Sequence, residues 1–145
     1  MRGQHGFTML EVLAVLAVAA TLAAVAVPGA AGLHHALADH LAAHRLALVL
    51  RHAQARAQAH GTGVLVTVAA DGAYRVSERI AGQASPQPVA AGRLEASVSS
   101  NYSAGVEFSP RGWPCNPGTT SPRAGSFVAG THRVVVQLGG FIRCL

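Results

Sequence analysis

The sequence predicts an α+β protein: a long N-terminal helix, its first half membrane-spanning, packed on an antiparallel β-sheet domain. Three observations carry this. From Phe7 to Ala31 the only ionisable residue is Glu11. The stretch that follows repeats its apolar residues at helical spacing. Beyond Gly63, apolar and polar residues alternate between turn signals, as strands do. Composition agrees with this division. Half of the 145 residues are hydrophobic and 12% are charged, with the apolar excess concentrated near the start. That length suits one domain. The net charge of +5 is carried by Arg alone, since the chain contains no Lys. Such a balance is compatible with nucleic acid or anionic lipid and establishes neither.

The apolar run covers about 25 residues, more than a secretory signal needs and enough to cross a bilayer as a helix. Arg2 keeps the start of the chain cytoplasmic and sends the remainder outside. Within the run, Glu11 costs a few kcal/mol if placed deep, so it calls for a partner. A free amine at Phe7, one helical turn earlier, supplies one. That amine exists only if the chain is cut after Gly6.

Gly6-Phe7-Thr8-Met9-Leu10-Glu11-Val12-Leu13 resembles the type IV prepilin processing motif. The resemblance implies that a prepilin peptidase cuts after Gly6 and methylates the new amine of Phe7. It implies that Glu11 pairs with a neighbouring subunit's N-terminus during assembly, and that Pro28 is the helix-loosening proline of such chains. The chain then divides into a cleaved leader at 1–6 and a transmembrane or filament-core helix at 7–31. An amphipathic continuation follows at 32–61, and an exported β-rich domain at 62–145. The expected protein is a single-pass inner-membrane subunit with its C-terminal domain in the periplasm, incorporated into a pilus or pseudopilus.

In the amphipathic part, Leu46, Val49, Leu50, Ala53 and Ala57 form one apolar stripe, while Arg45, His52 and Arg56 line another side. Gly61 and Gly63 end the helix. Val64 to Val68 reads as a strand, Asp71-Gly72 as a hairpin turn, and Tyr74 and Val76 lie on the return strand. Ile80 to Gly92, with Pro86 and Pro88, is expected to be a loop. Leu94, Ala96 and Val98 alternate as a further strand, and Val106-Glu107-Phe108 is another, stopped by Pro110. Residues 110–125 hold four prolines and three glycines, so they read as an irregular loop that Cys115 pins. Ser126 to Ala129, Arg133 to Leu138 and Phe141 to Cys144 complete the strands.

Within the pilin-like proteins, the chain resembles the FimT/GspH group of minor pilins and pseudopilins. The residues that carry this are Val106 to Gly112, Arg133-Val134-Val135-Val136 and Gly140-Phe141-Ile142-Arg143. The resemblance implies a minor pilin that helps initiate or cap a pilus, alongside other pilins. Its alternative is a pseudopilin of type II secretion. FimT-like pilins are associated with DNA uptake through a C-terminal Gly-Arg-x-Arg motif. Gly140 and Arg143 match it, and Phe141 stands in place of the first Arg. One cation fewer means one phosphate contact fewer. Arg111, Arg123, Arg133 and Arg143 form either a DNA-binding patch or a scattered solvated set.

Cys115 and Cys144 are expected to pair as a disulfide in an exported domain. His40 and His44, one turn apart, lack a well-placed third ligand, so no metal and no cofactor are expected. Ser, His and Asp occur without a nucleophile pattern, and no phosphate-binding loop is present. The expected protein is not an enzyme.

Overall fold

The computed structural model describes residues 8–145 except 81 and 84, without the side chains of 26–31. Gly6, Phe7 and the Pro28 side chain therefore lie outside the described residues. The chain divides into two compact units, Met1–Ala36 and Leu37–Leu145.

Helix α1, Met9–His60, includes Pro28 and Gly32. Thr8 starts it. Its hydroxyl and its carbonyl both accept from the Glu11 amide, at 3.3 and 3.0 Å. Gly61, at φ 67°, lets the chain turn away after His60. In the first unit, every residue from Thr8 to Val25 is exposed, and most are apolar on all sides of the helix. Among the described residues, no helix is long and apolar enough to cross a membrane. The span expected over 7–31 takes in Phe7 and side chains outside that set.

The second unit has its own core. Ala42, Ala43, Leu46, Ala47, Leu50, Ala53 and Ala57 present one buried helix face. The expected stripe is thus correct and widened by alanines, with Val49 at its margin. Two antiparallel sheets meet this face. The first has the order β3-β2-β1-β5-β6 and the second β4-β7-β8-β9. Their strands are β1 Gly63–Val68, β2 Ala73–Arg79, β3 Gln87–Arg93, β4 Val98–Ser100, β5 Val106–Phe108, β6 Pro114–Cys115, β7 Gly125–Ala129, β8 His132–Val136 and β9 Ile142–Cys144. Phe108 and Phe127, one from each sheet, are the largest fully buried side chains.

Three expectations change. Residues 110–125, read as an irregular loop, contain the two-residue strand β6 paired with β5. The Ile80–Gly92 loop contains β3, because Pro88 sits on a sheet edge, where its missing N–H costs no ladder bond. A register shift opposite Val76 and Ser77 accommodates the irregular strand. Leu94 to Ser97 is not a strand, although Leu94 and Val98 are buried. The Leu94 amide bonds to Gly72 O and the Val98 amide to Ala70 O, which carries the chain past the first hairpin to the second sheet.

Candidate functional site

Two places hold the residues singled out by the sequence. The first is the start of α1. Thr8-x-x-Glu11 has the form of a capping box, in which Thr caps the helix and an acid sits at the third position. The amide half of that box is formed. A carboxylate in the first turn is favoured there by the helix dipole. The sequence thus holds a local reason for Glu11 beside the assembly reason, and the Thr-x-x-Glu spacing was its signal.

The second place is where two hairpin tips meet. In the β5–β6 turn, Ser109 N bonds to Trp113 O and Gly112 N to Ser109 O, with Gly112 at φ 80°. The β8–β9 turn repeats this pattern: Gln137 N to Phe141 O, Gly140 N to Gln137 O, and Gly140 at φ 80°. A positive φ at that position favours glycine. The Gln54 side-chain amide, from α1, donates to both Gly112 O and Gly140 O, each at 2.9 Å. A Cβ on Gly140 would strike Gln54 and Gly112 O. Gly140 is therefore a buried turn residue that fixes the geometry, not a surface contact. Nothing in the sequence pointed to Gln54, since a lone amide on a helix has no pattern.

The candidate arginines separate into two sets. Cross-strand pairing puts Val135 opposite Arg143 on β8 and β9, and Arg133 is bonded both ways to Leu145. Strand alternation then places Arg133 and Arg143 on one sheet face, away from buried Val134, Val136 and Ile142. Arg111 stacks over exposed Trp113 at 5.6 Å, on the tip tied to Gly140. Phe141 is exposed on the other tip. Arg123 does not belong to this group. Its guanidinium donates to Asn116 Oδ1 and Asn101 O, both at 2.9 Å, and lies over the Tyr102 ring. It holds loops together. Tyr102, whose hydroxyl donates to Arg123 O, is pushed up to about 12 mainly by burial.

The expected disulfide is not formed. Both cysteines are free thiols, Cys115 on β6 of one sheet and Cys144 on β9 of the other. Burial pushes the Cys115 thiol up. The proline-rich loop is pinned instead by Glu107. Arg79 donates to its two oxygens at 3.0 and 3.2 Å, and Gly118 N donates at 2.6 Å. Glu78 is a second buried acid. Thr62, Arg56 and His60 contact its carboxylate at 2.7–2.8 Å, and those hydrogen bonds, Thr62 first, lower it to about 2. Each acid stands where strand alternation or neighbouring apolar residues call for burial, a signal available in the sequence. His132 on β8 approaches His40, at 5.0 Å between rings, while His40 and His44 are 4.4 Å apart. Among the described residues, no group of three such side chains is arranged to hold a metal.

Residues 1–27 match the prokaryotic N-terminal methylation motif. The fold is similar to that of the type IV minor pilin FimU from Pseudomonas aeruginosa strain PAO1. The TM-score is 0.56 at 12% identity, over 73% of this chain and 91% of that one. The chain is type IV pilin-like. No curated protein matches it in sequence. For a pilin-like chain, the methylation motif implies processing by a prepilin peptidase, membrane anchoring and assembly with other pilins.

Proposed function

We propose that the protein is a minor type IV pilin, a structural subunit that helps initiate or cap a pilus. The observation that supports this most is Glu11, the only ionisable residue from Phe7 to Ala31, which lies within the methylation motif one helical turn beyond the expected cut after Gly6. Removal of residues 1–6 exposes the Phe7 amine. The span 7–31 then anchors the subunit in the inner membrane with residues 62–145 in the periplasm, and later packs in the filament core. There Glu11 meets the methylated N-terminus of a neighbour, which offsets the cost of a carboxylate in lipid. Replacing Glu11 with Val is expected to abolish incorporation into sheared filaments while the processed subunit stays in the membrane. Wild-type incorporation of that variant, or a mature protein that retains Met1, would sink the reading. Loss of protein secretion in place of loss of pili would assign the subunit to a type II pseudopilus.

A second role, binding DNA for uptake, is favoured by one observation. Arg133 and Arg143 share an exposed sheet face, and the nearby tips carry Arg111, Trp113 and Phe141. Cations contact phosphate and exposed aromatic rings stack on bases. Titration with duplex DNA at two salt concentrations checks it: Arg143→Ala should weaken binding and flatten the salt slope.

A further inference from the structure

Three histidines outside both places described above stand ring against ring. His40 and His44 lie one turn apart on α1, and no other two histidines of the chain are four residues apart. Their ring centres are 4.4 Å apart, and His132, at the start of β8, stands 5.0 Å from His40. Two imidazoles that share one tetrahedral ion, each with a nitrogen about 2.0–2.1 Å from it, keep their ring centres about 5 Å apart. The rings are thus spaced as ligands are. Two histidines four residues apart on a helix are also a recurrent way to hold zinc. The third ligand that the sequence does not show beside this pair comes from β8.

The scaffold beneath the rings is set by the fold. The Asp39 carboxylate lies against Gly130 in the β7–β8 turn, so closely that a Cβ there would strike it. Ala129 and His132 face each other across that turn, and buried Ala43 and Ala129 belong to one core. Helix and hairpin therefore approach at a fixed distance whatever the imidazoles do. The rings themselves meet edge to face, at 61° and 69°, and in these rotamers three nitrogens do not converge. His40 and His44 are exposed and His132 is half-buried, so a turn to another staggered rotamer needs no backbone movement. Nearby charge does little to repel a cation. Arg45 is paired with Glu95, Asp39 adds a carboxylate, and strand alternation puts Arg133 on the opposite sheet face from His132.

We propose that His40 and His44 chelate one divalent transition metal of the kind that imidazole favours, zinc above all, and that His132 turns in as the third ligand. Water completes the tetrahedron. The ion ties the β7–β8 hairpin to α1 and adds its binding free energy to the fold of Leu37–Leu145.

The full-length, untagged protein in detergent micelles can be tested with zinc chloride. Equilibrium dialysis is expected to show about one tightly held ion per chain. The urea midpoint, read by Trp113 fluorescence, should rise with zinc and return when EDTA removes it. Affinity should fall at least about tenfold in each of His40→Ala, His44→Ala and His132→Ala, and stay unchanged in His52→Ala, an exposed histidine elsewhere on the helix. Circular dichroism without zinc confirms that the variants fold. No bound zinc overturns the proposal, and so does zinc that binds without raising the midpoint. Unchanged affinity in His44→Ala would place the ion on other histidines, such as His34 and His35, and overturn it. Unchanged affinity in His132→Ala would leave the ion on the helix alone and overturn the tie to β8.

Discussion

Two stretches of α1 are built from nearly the same residues and end up in opposite surroundings. From Thr8 to Val25 the helix is mostly Ala, Leu and Val, with Thr8, Met9, Glu11 and Thr21 as the exceptions, and all of it is exposed. From Ala42 to Ala57 the same residue types alternate with His44, Arg45, Arg51, His52, Gln54 and Arg56, and the apolar ones on the core-facing side are buried while Leu48 stays exposed. Apolarity alone does not say where a residue's cover comes from. The interruptions do: a helix with one polar side is covered by its own chain, and one without a polar side needs cover from elsewhere.

That contrast can be broken most strongly at Leu46. Leu46→Ala, at a fully buried position, is expected to destabilise the second unit by about 2–5 kcal/mol. Leu16→Ala, in the bare stretch, should leave the same transition where it was. Trp113, the only tryptophan, reports both by fluorescence during urea unfolding. If both variants shifted the midpoint equally, the two stretches would share one core. Gln54→Ala is expected next, on the order of 1–3 kcal/mol, because two buried turn carbonyls lose their donor.

Glu78→Gln is expected to destabilise the second unit at neutral pH, where the carboxylate is fully ionised, and it sharpens the comparison by its pH dependence. The folded carboxyl is lowered from 4.5 to about 2. Its stabilisation is therefore complete above about 4.5 and is lost as pH falls through 2. The wild-type unfolding midpoint should fall across that window, and the variant's should stay flatter. Parallel curves would show that this carboxylate does not link the helix end to β2.

Much of this fold was legible. The helix, the strands around Val64–Val68, Tyr74–Val76 and Val106–Phe108, and those near the C-terminus follow from periodicity and turn residues. β3 was not, because Pro86 and Pro88 signal a loop unless the strand lies on an edge, and edge position is a property of the whole sheet. The division into two sheets was also hidden, since strand alternation is the same in one sheet or two. Of the site, the processing motif and Glu11 were readable because they are contiguous. The arginines were not separable, as Arg123 differs from Arg133 and Arg143 only in its distant partners, Asn101 and Asn116. The cysteines suggested a staple that the fold places on different sheets. Glu107 and Gly118 fasten the loop instead, a contact without a spacing rule.

The shared amide of Gln54 has a practical consequence for anyone grafting sequence onto this scaffold. Two short loops from separate hairpins are displayed side by side as one composite epitope, because a single side chain clamps both. Insertions at Pro110-Arg111 or Leu138-Gly139 would therefore be presented together, provided that the glycine closing each loop is left in place.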